Sequence, residues 1–164
     1  MTVPCDLCVS PGEDVLWDDG FARVVLVQDR DHPGFCRVIL NQHTKEMTDL
    51  PDAERARLMN VIYVVEGLLR ELLQPDKINL ASFGNVVPHL HWHVIPRFAD
   101  DPHFPNAVWS TRMREGARPL PAGFARSLRQ RLGELLGPER LCAVVSNSAH
   151  RRARRGRGGK RSGR

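Results

Sequence analysis

Three histidines alternate with apolar residues in the segment Pro88-His89-Leu90-His91-Trp92-His93-Val94-Ile95-Pro96-Arg97. The chain holds seven histidines in 164 residues, so packing alone is a poor account of three at every second position. In a strand, alternate side chains point to opposite faces. The spacing therefore predicts His89, His91 and His93 on one face, with Leu90, Trp92 and Val94 docked on a core. Trp92 is thereby assigned to packing rather than to base stacking. The imidazole face is left to water, a metal or a substrate. One ion cannot take all three rings, because at about 3.3 Å rise per residue the outer two leave the backbone about 13 Å apart, against Zn–N bonds of about 2.0–2.1 Å. Two neighbours could share an ion, or each ring has its own task. Imidazole near neutral pH is an unprotonated nucleophile in useful amounts, and its attack on phosphorus splits one displacement into two easier steps. The pattern thus favours phosphoryl chemistry over simple binding. Arg97, after Pro96 at the strand end, is either a fork of donors for a phosphate oxygen or a solvated side chain.

A second group is Cys5-Asp6-Leu7-Cys8. Thiolates at this spacing can chelate one zinc from a tight loop, or can be two inert thiols. Cys36 and Cys142 fit no ligand pattern and read as a core residue and a thiol beside the tail.

These groups need elements to hold them. Residues 21–27 and 35–40 are rich in β-branched and apolar side chains, are flanked by Asp, Pro and Gly, and read as strands joined through the turn Asp31-His32-Pro33-Gly34. From 52 to 73 the positions Leu58, Val61, Ile62, Val65, Leu68, Leu69 and Leu72 recur at helical spacing until Gln74-Pro75 ends the pattern. Residues 77–83 and 89–95 read as two more strands, and a polar second helix is expected over 122–136 after a proline-rich stretch. Strand, strand, helix, strand, strand argues for an α+β fold: an antiparallel sheet with a main helix packed on it and a second, C-terminal helix.

Composition sets the outer limits. At 41% hydrophobic and 26% charged residues the chain is an ordinary globular one, of a size for a single core. No apolar run approaches the ~18 residues of a membrane span, and the opening residues lack a signal-peptide pattern, so a cytoplasmic protein is expected. The charge is uneven. Residues 151–164 hold eight of the 24 basic side chains and no acid, leaving 16 basic against 19 acidic residues elsewhere. Residues 1–145 are thus expected to form the catalytic domain and 146–164 a disordered Arg/Gly-rich tail. That tail is either a weak, salt-sensitive contact to nucleic acid or a solubilising end.

The segment His89-Leu-His91-Trp-His93-Val-Ile95 resembles the histidine triad (HIT) superfamily motif, His-φ-His-φ-His-φ-φ with φ apolar, at every position. The likeness runs from the N-terminal Cys pair to about Arg97, and residues 33–39 and 88–98 look like a bacterial branch. It implies a nucleotide hydrolase or nucleotidyl transferase, a sheet-plus-helix fold and a homodimer. By position it implies that His91 is the nucleophile, passing through a nucleotidyl-histidine intermediate, and that His93 contacts the phosphate or leaving group. Gly84 and Asn85 match the family's phosphate-side Gly-Gln, with Asn85 one methylene shorter. Asn79 and Asp29 are similar to residues that hold phosphate and ribose, although either is equally a turn residue. Likeness to zinc-bearing members, including the galactose-phosphate uridylyltransferase branch, adds His43 and His89 to Cys5 and Cys8 as ligands of a structural Zn²⁺. The chain departs from the pattern at Phe35, where many members carry histidine, and at Val86, where a small hydroxyl residue is common. Both departures remove polar groups near the expected phosphate site. The expected activity is cleavage of a nucleoside–phosphorus bond in a dinucleoside polyphosphate or nucleoside phosphoramidate. The alternative is a non-catalytic, zinc-stapled module that binds nucleotide or nucleic acid.

Overall fold

The computed structural model describes residues 5–9, 12–116 and 118–137. The basic tail and Cys142 lie outside them. Five antiparallel strands, β1 (Asp14–Asp18), β2 (Ala22–Leu26), β3 (Cys36–Leu40), β4 (Lys77–Ala81) and β5 (His91–Arg97), form one sheet in the order β1-β2-β3-β5-β4. Among the described residues three α-helices accompany it: a single turn α1 (Asp6–Val9), the long α2 (Asp52–Leu73) and α3 (Phe124–Leu136). The α+β architecture expected from the sequence is the one observed.

One face of the sheet is apolar. Ala22, Val24 and Leu26 of β2, Cys36, Val38 and Leu40 of β3, Ile78 of β4 and Val94 of β5 join one core with Leu58, Val61, Ile62, Val65, Leu68 and Leu69 of α2. The stripe on α2 has the three- and four-residue spacing that lays a helix on a sheet. Phe124, Leu128, Leu132 and Leu136 present a similar stripe, by which α3 packs on α2 and β1. The main helix ends where the sequence indicates: Gln74 takes the left-handed conformation, φ 48°, and its amide closes on the Arg70 carbonyl. Trp92 is half-buried against this core. Cys36 is fully enclosed, and burial pushes its thiol up to about 12.

Two boundaries differ from the sequence reading in ways that matter. β1 is an additional edge strand that the sequence does not announce, because only Leu16 is buried and a bulge interrupts its pairing between Val15 and Trp17. The last strand starts at His91 rather than at 89 and runs on to Arg97. The His89 amide is taken by the Val87 carbonyl at 2.8 Å, which holds His89 in a turn ahead of the ladder.

Candidate functional site

The other sheet face carries the polar groups. Register places Ile39 opposite His91, Arg37 opposite His93, Ala81 opposite His93 on the other side, and Asn79 opposite Ile95. His91 and His93 lie at the floor of an open cleft of about 490 Å³, lined also by Arg37, Phe83, Gly84, Asn85 and Trp109. Their ring centroids are 4.9 Å apart and nearly edge-to-face. His91 is 8% exposed, and that exposure is at the cleft.

Nδ1 of His91 lies 2.6 Å from the His89 carbonyl oxygen. A carbonyl only accepts, so Nδ1 carries the proton and Nε2 the lone pair. Nε2 has no hydrogen-bond partner among the described residues. Burial lowers the pKa of His91, the His89 carbonyl partly opposes that shift, and the Arg37 charge reinforces it. His93 is pushed down to about 4 by burial, then by His91 and Arg37. Both rings are therefore neutral at pH 7. His93 packs between Phe35, at 5.4 Å between centroids, and Trp109, at 5.3 Å, and its buried Nδ1 has no hydrogen-bond partner among the described residues.

His89 does not share the cleft. Its Nε2–H donates to the Leu40 carbonyl at 2.6 Å, which turns Nδ1 toward Cys5 and Cys8, with each Sγ 3.4 Å away. Cys8 Sγ is 3.3 Å from Nδ1 of His43. The four ligand atoms of Cys5, Cys8, His43 and His89 all lie within 4.8 Å of one another. Zn–S and Zn–N bonds of about 2.3 and 2.0–2.1 Å give a tetrahedron with edges of roughly 3.3–3.8 Å, so the donor set and its spacing fit such an ion. The N-terminal turn that brings the cysteines there is tied to β2 by the buried Arg23, whose Nη2 donates to the Leu7 carbonyl at 2.7 Å and whose Nε pairs with Glu13 at 2.9 Å.

The remaining sequence candidates have other surroundings. Gly84 and Asn85 line the cleft beside the histidines. The Asn79 carboxamide oxygen accepts from Arg97 Nη1 at 2.7 Å, and the Asp29 carboxylate accepts the amides of Asp31 and His32 at 2.8 and 2.9 Å; neither lines the His91 cleft. Arg97 is neither solvated nor turned to a phosphate site. It is 2% exposed and forms a two-pronged ion pair with Asp101, Nε to Oδ2 at 2.7 Å and Nη2 to Oδ1 at 3.1 Å. Period-two alternation places Arg97 on the face of His91 and His93, but its carboxylate lies in a loop that periodicity cannot read. Asp101 also accepts the amides of His103 and Phe104 at 2.8 and 2.6 Å. Burial alone would raise its pKa; the Arg97 and amide hydrogen bonds outweigh it and hold the carboxyl at about 2. His32 and His103 stack beside this pair, with Nε2 and Nδ1 3.2 Å apart, but the Asp101 oxygens are already occupied by donors.

Together these contacts fix the segment after β5 across the histidine face and set Trp109 over His93. Sequence reasoning passed over Trp109, Phe83, Asp101 and Arg37. Only Arg37 left a signal: a lone charge in the apolar strand Cys36–Leu40, out of phase with its core positions.

The HIT domain family model matches residues 12–100, more than half of the chain, and the chain belongs to that family. A histidine triad protein from Sinorhizobium meliloti is similar in structure with a TM-score of 0.62 at 28% identity, over 81% of this chain and 96% of that one. A zinc-bound histidine triad family protein from Mycobacterium smegmatis gives 0.58 at 26% identity, over 80% and 94%. In sequence, AP-4-A phosphorylase of Mycobacterium tuberculosis is 26% identical over 106 residues, 58% of this chain and 54% of that protein; the chain thus spans about half the length of the curated relatives it matches.

Removing the carboxylate of Asp101 leaves a buried guanidinium uncompensated. Asp101→Ala is expected to lower unfolding stability by about 3–5 kcal/mol in urea titrations, whereas a loss below about 1 kcal/mol would show that the pair does not anchor the loop.

Proposed function

We propose that the protein is a nucleotide hydrolase or nucleotidyl transferase that breaks the bond between a nucleotide's phosphorus and its leaving group, in a dinucleoside polyphosphate or nucleoside phosphoramidate type of substrate, through a covalent intermediate on His91. The observation that carries the proposal is the 2.6 Å bond from His91 Nδ1 to the His89 carbonyl, which assigns the lone pair to Nε2 in an open cleft. The relatedness to an AP-4-A phosphorylase and the family membership support the same class.

In this reading the Nε2 lone pair attacks the nucleotide's phosphorus. An N–P bond forms while the bond to the leaving oxygen or nitrogen breaks, its electron pair staying with the leaving group; a leaving nitrogen takes up a proton from solvent and departs as the amine. The His89 carbonyl stabilises the positive charge that develops on the ring, as an acceptor of the Nδ1 proton. Water then attacks the same phosphorus, its proton passing to solvent, and the N–P pair returns to Nε2; in a transferase a second acceptor takes the place of water. Gly84 and Asn85 flank the phosphate and His93 contacts it. Asn79 and Asp29 keep their proposed roles toward phosphate and ribose only if they exchange their present hydrogen bonds for the substrate's.

Cys5, Cys8, His43 and His89 would hold one Zn²⁺, supported by the fit of their spacing and by the zinc-bound relative. Four protein ligands leave no open position, so the ion would supply rigidity rather than Lewis-acid chemistry. We further assign residues 1–145 to the catalytic domain, a homodimer as the working assembly, the cytoplasm as its location, and at most a weak nucleic-acid contact to the tail. No helix among the described residues is long and apolar enough to cross a membrane.

Incubation with diadenosine tetraphosphate or adenosine phosphoramidate, quenched and read by mass spectrometry, is expected to show an adenylyl adduct on His91. His91→Ala should lose the adduct and reduce turnover by roughly three orders of magnitude or more. Nucleotide binding with equal turnover in wild type and variant would leave a non-catalytic module instead. Metal analysis of gently purified protein is expected to give about one zinc per chain, with Cys8→Ser losing it and melting several degrees lower. Zinc near zero in active wild type would remove the metal assignment.

A further inference from the structure

Arg37 is the one formally charged residue lining the His91 cleft among the described residues. It stands directly across the β3–β5 ladder from His93, a placement that puts paired side chains in contact range. Its surroundings differ from those of the two buried arginines on the same sheet face. Arg23 pairs with Glu13, and Arg97 pairs with Asp101. Among the described residues Arg37 pairs with no carboxylate and its buried Nε has no hydrogen-bond partner; the guanidinium carbon lies 5.8 Å from the centroid of the Phe35 ring. A buried donor without an acceptor is costly in the free protein, and a bound acceptor relieves that cost. The ring face of Phe35 steadies the guanidinium without using any of its N–H groups. The cleft is otherwise poor in polar groups: Val86 is 94% exposed and apolar, and Phe35 fills the space beside His93.

We infer that Arg37 binds the leaving-group side of the substrate and selects substrates whose leaving group is itself a phosphate chain over those that release a neutral amine. This rests on the phosphoryl-transfer reading given above. Attack by His91 Nε2 sends the bond's electron pair onto the leaving group, and that group lies on the far side of phosphorus from the nucleophile. A neutral His93 brings no positive charge to that side. Arg37, adjacent to His93, brings a permanent one, and its planar fork matches two oxygens of a phosphate at once. A departing nucleoside polyphosphate accumulates negative charge that such a fork stabilises. An amine departing from a phosphoramidate presents no anionic oxygens to it.

The test compares wild type, Arg37→Met and Arg37→Lys, with matched urea midpoints as the check on folding. For diadenosine tetraphosphate, kcat/KM should fall about 100-fold in Arg37→Met and less in Arg37→Lys, which keeps charge but loses the fork; for adenosine phosphoramidate it should change less than about threefold. Equal losses on both substrates, or no loss on either, overturn the assignment. A second arm needs no turnover. In titration calorimetry, ATP affinity should drop at least about tenfold in Arg37→Met while adenosine affinity is unchanged; ATP binding alike in both proteins overturns the assignment even if no adduct ever forms on His91. Absence of wild-type turnover, with ATP affinity still dependent on Arg37, would sink the enzymatic reading and keep Arg37 as a polyphosphate-binding residue.

Discussion

The backbone carbonyl of His89 accepts the Nδ1 proton of His91 at 2.6 Å, and the rest of the site is arranged around that bond. The bond fixes the tautomer, sets the ring's tilt and directs the remaining lone pair away from its own strand. It exists because His89 lies in a turn outside the sheet ladder, where its carbonyl is free to face a side chain two residues on. His89 is itself held twice over. Its Nε2–H donates to the Leu40 carbonyl, and its Nδ1 faces Cys5 and Cys8. One residue thus joins the N-terminal turn, the end of β3 and the orientation of His91. In metal sites a ligand histidine is usually oriented by a hydrogen bond from its second nitrogen to a carboxylate, a backbone carbonyl or water.

The sheet divides the labour between its faces. One face is closed by α2 and α3 over an unbroken apolar core, so the strands have little freedom to shift register. The opposite face turns His91, His93 and a guanidinium without a carboxylate partner among the described residues toward the cleft at one end and is sealed at the other by the Arg97–Asp101 pair. Buried ion pairs seldom add net stability over an apolar substitute, but breaking one is costly, which makes this pair a strong constraint on where its loop can lie. That constraint positions Trp109 against His93 and shields the histidine face on one side.

Much of this is legible in the residues, and the exceptions have physical reasons. The seven-position stripe from Leu58 to Leu72 marks most of α2, which runs from Asp52 to Leu73, because burial on one side enforces helical periodicity. Alternation identifies Trp92 and Val94 as core-facing and His91 and His93 as site-facing. It misplaces His89, since period-two reasoning assumes a strand and cannot see the turn made by Val87 and His89. It also leaves Arg97 between phosphate and solvent, because its partner Asp101 sits in irregular chain with no periodicity to read. β1 escapes notice for having one buried side chain and a bulge. The Cys5, Cys8, His43 and His89 grouping spans three separate segments, so composition suggests only the cysteine pair, and the resemblance to zinc-bearing proteins supplies the histidines.

The assignment of the lone pair to His91 Nε2 is open to direct observation. Nitrogen-15 NMR of histidine-labelled protein at pH 7 distinguishes protonated from unprotonated ring nitrogens residue by residue, with His91→Ala used to assign the signals. The account predicts a neutral His91 with the proton on Nδ1 and an unprotonated Nε2. A proton on Nε2 in the neutral ring, or a His91 imidazolium at that pH, would contradict it.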